Sequence, residues 1–128
     1  MMSKSAATDD KRADALREII SGIEGQRGVK GWAVVSQEGL IVEHKMPTKV
    51  NPHLLAGNAA ALAHSAQVVV RQTGAGPMNV MTLEGDRYDL LVIGGDQQLI
   101  FLVVAERRTD LGPLTRFLTE SATRFYAL

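Results

Sequence analysis

Two glycine-rich segments are the first candidates for chemistry, because the backbone amides of a glycine loop can cradle a phosphate group. Residues 74–77 read Gly-Ala-Gly-Pro, and residues 94–96 read Gly-Gly-Asp. Neither contains the Lys and the Ser or Thr that a Walker-type loop needs. The first follows a predicted helix and the second joins two predicted strands, so both segments favour turns over a nucleotide site.

The three histidines are the best candidates for metal ligands, since the chain has no cysteine. His53 and His64 share one face of a predicted helix, but a rise of about 1.5 Å per residue separates them by about 16 Å. Zinc ligands must all lie about 2 Å from the ion. His44 lies on a predicted strand. We therefore predict no metal site and no cofactor.

Several carboxylates and one serine are the candidates for catalytic groups. Ser36 lies across a predicted hairpin from His44, but no third group orients the histidine. Carboxylates on strand edges and in turns are usually solvated, and the candidates of this kind are Glu38, Glu43, Asp86, Asp89 and Asp96. The sequence thus predicts a protein that is not an enzyme.

Arg107 and Arg108 directly follow the last predicted strand. An arginine in such a position could stabilise phosphate charge, as an arginine finger does. The alternative, which we favour, is a solvated basic pair at the end of a strand.

The placement of charge is more informative than its sum. The 128 residues include 14 Lys+Arg and 14 Asp+Glu, which give a net charge of zero, and 45% are hydrophobic. One globular domain is indicated, without bulk attraction to nucleic acid or anionic membranes. Between residues 52 and 83, however, Arg71 is the only charged side chain. Polar residues interrupt this charge-poor segment, so we do not predict that it inserts into a membrane.

Hydrophobic periodicity predicts the order helix, strand, strand, helix, strand, strand, strand, helix. The first predicted helix is capped by Asp9 or Asp10, the second covers residues 52–72, and the third begins at 111–113. The predicted strands cover residues 29–36, 40–45, 78–84, 87–94 and 98–105. Short connections make the strands antiparallel, and the continuous apolar run at 98–105 favours a central strand. We predict an α/β (α+β) fold, a five-stranded antiparallel sheet between one central helix and two terminal helices. Residues 1–8 are predicted to be a disordered tail and 9–128 a single domain.

The helix predicted at 52–72 is apolar around most of its circumference. We expect Leu55, Leu62 and Val69 to face the sheet, which leaves the alanines without a cover. The uncharged strand at 79–83 would be an unprotected sheet edge. A homodimer would cover both features. The predicted interface consists of Ala56, Ala60, Ala61, Ala63, Asn79, Val80, Met81, Thr82 and Leu83.

The order of elements and three local signatures resemble the Roadblock family, which includes roadblock-type dynein light chains and bacterial Mgl-type polarity regulators. The signatures are the hairpin at 28–35 and 38–42, the alanine-rich helix at 54–62, and the last strand at 99–105 followed by 109–114. The resemblance runs from about residue 10 to the C-terminus.

This resemblance implies the same sheet with helices on both faces, edge-to-edge dimerisation, and non-catalytic binding to a small Ras-like GTPase. In bacterial members the GTPase surface involves the central helices of the dimer. Carried to this sequence, that surface is His53, Gly57, His64, Gln67 and Arg71. Two hypotheses stay open: a homodimeric regulator that alters the nucleotide cycle of the GTPase, and a passive scaffold or adaptor that leaves GTP turnover unchanged. Because no secretory signal is visible, we expect a cytoplasmic location.

Overall fold

Residues 4–94 and 97–128, the part of the chain that this computed structural model describes, form three helices and five strands in the predicted order. Side chains near the N-terminus are described from Asp9 onward. The elements are α1 Lys4–Glu24, β1 Val29–Ser36, β2 Ile41–Lys45, α2 Pro52–Gln72, β3 Met81–Glu84, β4 Tyr88–Ile93, β5 Leu99–Glu106 and α3 Leu111–Tyr126.

The first helix begins earlier than predicted. α1 starts at Lys4 rather than after Asp9 or Asp10, so residues 4–8 belong to the helix and not to a tail. No glycine or proline interrupts the sequence there, which lets the helix extend toward the N-terminus. Residues 1–3 of the predicted tail and residues 95–96 of the predicted turn lie outside the described residues.

All strand pairs are antiparallel, and the order across the sheet is β2-β1-β5-β4-β3. The central position of β5 confirms the prediction from its continuous apolar run. Its residues Ile100, Phe101, Leu102 and Val103 are at most 1% exposed because both faces of the strand are covered. β2 and β3 form the two edges of the sheet.

Helices cover the two faces of the sheet unequally, as predicted. α1 and α3 pack together on one face, where Ile23, Phe101 and Leu118 belong to a single buried cluster. Phe101 meets the ring of Phe125 edge-on at a centroid distance of 6.0 Å. α2 alone contributes helical residues to the buried cluster on the other face. Within the described part of the chain, its outward side therefore has no helix packed over it.

Local signals fix both ends of α2. Asn51 caps the first turn, where its side-chain oxygen accepts hydrogen bonds from the amides of His53 and Leu54 at 3.1 and 3.3 Å. Pro52 occupies the first turn, where a missing N–H leaves no bond unmade. Thr73 caps the other end. The helix thus carries most of the charge-poor segment across the sheet.

Candidate functional site

Alanines, not leucines, form the face of α2 that lies on the sheet. Ala56, Ala60 and Ala63 are 0%, 5% and 0% exposed. They belong to one cluster with sheet residues that include Val35 and Leu102. Large side chains from the sheet fill this space, so a close-packed interior requires small residues on the helix.

Two sequence predictions are corrected by this orientation. Leu55, Leu62 and Val69 are the three residues predicted to face the sheet. Leu62 and Val69 are 43% and 58% exposed, and only Leu55 packs against the cluster. Ala56, Ala60 and Ala63, predicted to contact a second copy, are covered by the chain's own sheet. Ala61 is the one alanine of the predicted interface that is exposed.

The outward side of α2 carries several exposed apolar side chains. Its members are Leu54, Ala61, Leu62, Val68 and Val69, which we call the outer α2 surface; the four large side chains are 66%, 43%, 42% and 58% exposed in that order. Single exposed apolar residues are normal, whereas several on one side of a helix point to an interaction site. The sequence signal for this surface is the spacing of seven residues from Leu54 to Ala61 and from Ala61 to Val68, which places all three on one side of a helix.

The edge of β3 is the second feature of this site. Met81 packs into the α2-side cluster and Val80, just before the strand, packs against the opposite one. Asn79 and Thr82 are exposed, and Leu83 is partly buried. In the described part of the chain β3 pairs with β4 alone, so its outer backbone groups have no strand partner.

The other sheet edge is protected differently. β2 carries Glu43, His44 and Lys45, all exposed, and charged side chains hinder edge-to-edge pairing. β3 carries a charge only at its last residue, Glu84. The two edges thus differ in whether they permit another strand to add.

Four of the five predicted GTPase-facing residues lie along one flank of α2. His53, Gly57, His64 and Arg71 are all exposed. Gln67 does not belong to this surface, because it is 3% exposed and its Oε1 accepts a hydrogen bond of 2.8 Å from the Met78 amide. That bond ties the C-terminal half of α2 to the segment that leads into β3.

We expect Gly57→Ala to stabilise the protein by about 0.5–1 kcal/mol, because glycine inside a helix has a larger entropic cost of folding than alanine. A Cβ at Gly57 would meet no atom within 4 Å. Gly39→Ala is the matched control and should destabilise, since Gly39 has a φ of +86° and its Cβ would lie 2.9 Å from the Gly57 Cα. Urea unfolding measures both changes; a loss of stability in Gly57→Ala would contradict the prediction.

The residues considered for catalysis are not brought together. Across the β1–β2 hairpin His44 pairs with Ala33, not with Ser36, whose Oγ instead accepts a hydrogen bond from the Leu40 amide at 3.1 Å. Residues 4–94 and 97–128 contain no group of three His, Asp or Glu that could hold a metal ion. In the same ranges no helix is long and apolar enough to cross a membrane.

Comparisons with known proteins agree with this architecture. The family model of the Roadblock/LC7 domain matches residues 15–105. Two uncharacterized proteins of Methanocaldococcus jannaschii are each 23% identical over 110 residues, which cover 86% of this chain and 96% of theirs.

Solved structures show the same fold. A Roadblock/LC7 domain from Streptomyces avermitilis superposes with a TM-score of 0.70 at 18% identity, covering 84% of this chain and 94% of that one. MglB from Myxococcus xanthus gives a TM-score of 0.71 at 15% identity, covering 91% of this chain and 95% of that one. These likenesses confirm the predicted sheet, helices and element order.

Proposed function

Because the chain belongs to the Roadblock/LC7 domain family, we propose that it is a homodimeric, non-catalytic regulator that binds a small Ras-like GTPase and modulates its nucleotide cycle. Family membership and the likeness to MglB support a fold of the GTPase-regulator type. The observation that carries the proposal is the outer α2 surface together with the unpaired edge of β3, which has no charged residue before Glu84.

The position of these two features supports self-association through them. A two-fold axis would pair β3 antiparallel with its symmetry mate, which joins two five-stranded sheets into one. The hydrogen bond between Gln67 and Met78 ties the C-terminal half of α2 to the segment that leads into β3, so the two α2 helices would lie on the same face of the joined sheet, where their exposed apolar side chains are available to each other. Burial of their apolar side chains supplies the driving force. The interface that we propose keeps Ala61, Asn79, Thr82 and Leu83 from the sequence prediction and adds Leu54, Leu62, Val68 and Val69.

The GTPase would contact the exposed flank of α2. His53, Gly57, His64 and Arg71 lie outside the apolar surface that the second copy would cover, so both contacts can form at once. A regulator without catalytic groups acts by binding one conformation of the GTPase switch loops more tightly than another. Equal affinity for the GTP-bound and GDP-bound forms would shift nothing.

Mixing the protein with a Ras-like GTPase encoded near it tests this proposal. We expect a complex that forms preferentially with one nucleotide state and a changed rate of GTP hydrolysis. His64→Glu should weaken the complex, whereas His44→Glu, an equally exposed histidine on β2, should leave it unchanged. Binding without any change in turnover would favour the passive scaffold, and failure to bind any such GTPase would contradict both hypotheses.

A further inference from the structure

A cluster of basic side chains lines an open cleft beyond the end of β5. The cleft has a volume of about 410 Å³ and is lined by Lys30, Arg87, Tyr88, Glu106, Arg107 and Arg108. The cations come from three parts of the chain: β1, the turn before β4, and the turn after β5. The amide of Arg107 donates a hydrogen bond of 3.1 Å to the carbonyl of Arg87, which fixes the two backbones side by side.

Carboxylates of the chain already hold two of these cations. Lys30 Nζ lies 2.8 Å from Glu106 Oε1. Arg107 Nη1 lies 2.8 Å from Asp89 Oδ1, and its Nη2 lies 3.2 Å from Glu84 Oε2. The hydrogen bond to Asp89, followed by the one to Glu84, raises the pKa of Arg107. The Asp89 side chain is only 6% exposed, so Arg107 is held by a buried anchor.

Arg87 and Arg108, unlike Lys30 and Arg107, are not paired with a carboxylate within residues 4–94 and 97–128. Both are exposed, and in the described part of the chain neither guanidinium forms a hydrogen bond or an ion pair. Each guanidinium offers five N–H donors in a fork that matches a carboxylate. The cleft lining carries four cations against the single carboxylate of Glu106, although the whole chain has a net charge of zero.

The cleft continues into a neighbouring one. The second cleft shares Glu106 and Arg108 with the first and adds Arg27. Its carboxylate Asp110 caps α3 and accepts a hydrogen bond from the Gly112 amide at 3.0 Å. We call the linings of these two adjoining clefts the basic groove. They include the arginines Arg27, Arg87 and Arg108, a set that suits an extended ligand with several negative charges.

We propose that this groove is a docking site for an acidic segment of a partner protein, a short run of Asp or Glu side chains. The chain's own carboxylates already show that cations of the groove accept carboxylate partners in good geometry. Nucleic acid is disfavoured, because Tyr88 is the only aromatic residue that lines the groove and offers a single ring on which a base could stack. None of the lining residues belongs to the outer α2 surface or the β3 edge, so this proposal is independent of the proposed function.

Fluorescence anisotropy with a labelled octaglutamate peptide at low ionic strength tests the proposal. We expect Arg87→Gln/Arg108→Gln to weaken binding about tenfold, since two exposed charge pairs are lost. Lys11→Gln/Arg116→Gln removes the same charge from exposed positions on α1 and α3 and should change the affinity less than about twofold. Arg107 is left intact because its removal would leave the buried Asp89 without its partner.

Three results would overturn the proposal. The first is no measurable binding of the peptide to the native protein. The second is an equal loss of affinity in both double variants, which would mean attraction to charge in general. The third is tighter binding of anionic phosphatidylserine vesicles or of a DNA oligonucleotide through the same arginines, which would assign the groove to another class of partner. Circular dichroism of the double variants verifies that each one is folded.

Discussion

Replacing Ala61 with Arg is expected to convert the proposed dimer into monomers and to leave the domain folded. Ala61 is exposed on the outer α2 surface, where a two-fold axis would bring two copies of the new side chain close together. Like charges that meet at an interface cost several kcal/mol, and each 1.4 kcal/mol weakens association tenfold. We expect the dimer to weaken at least about a hundredfold. Size-exclusion chromatography should then show a species of the 13.8 kDa chain mass.

The control for this experiment is Ala13→Arg. Ala13 is exposed on α1, and the substitution adds the same charge and volume to a helix outside the proposed interface. Its elution should match that of the native protein. A dimer that persists in Ala61→Arg, or a monomer that appears equally in both variants, would contradict the interface.

Replacing the neighbouring Ala60 with Arg will have a different effect, a large destabilisation of the folded domain itself. Ala60 is 5% exposed and packs with Val92 and Leu102 between α2 and the sheet. An arginine there is too large for the space and places an unpaired charge in an apolar interior. We expect the free energy of unfolding to fall by about 3 kcal/mol or more, and the midpoint of thermal unfolding to fall by about 10 °C.

Ala61→Arg is the natural reference for that measurement. Both variants place an arginine in the same helix, so the difference in their melting temperatures, measured at a protein concentration at which both are monomeric, isolates the packing against the sheet. Equal melting temperatures would mean that α2 is rotated about its axis, with Leu62 and Val69 against the sheet.

The helices and strands follow closely from local sequence signals. The bounds of β1 and α2 match the predictions, because a glycine turn ends the hairpin strand and Asn51 with Pro52 begins the helix. The apolar run of β5 correctly indicated the centre of the sheet. These features are predictable because they depend on residues near one another in the chain.

Local sequence signals do not predict which side of α2 faces the sheet. Its two sides are both apolar, so periodicity does not say which one is buried, and side-chain size pointed to the wrong one. The buried face was decided by the large residues on the sheet, such as Ile100 and Leu102, which leave room only for alanines. Gln67 is inward for a related reason, since its partner, the Met78 amide, is set by the tertiary fold. The basic groove likewise depends on strand register, which brings Arg87 beside Arg107.

Amide hydrogen exchange at increasing protein concentration tests the self-association surface most directly. The proposed dimer predicts that exchange in residues 79–84 slows as concentration rises, because the outer edge of β3 becomes hydrogen-bonded to its mate. β2, the edge that carries Glu43, His44 and Lys45, serves as the internal control and should not change. Exchange at β3 that is independent of concentration, or protection that appears at β2 instead, would contradict dimerisation through the β3 edge.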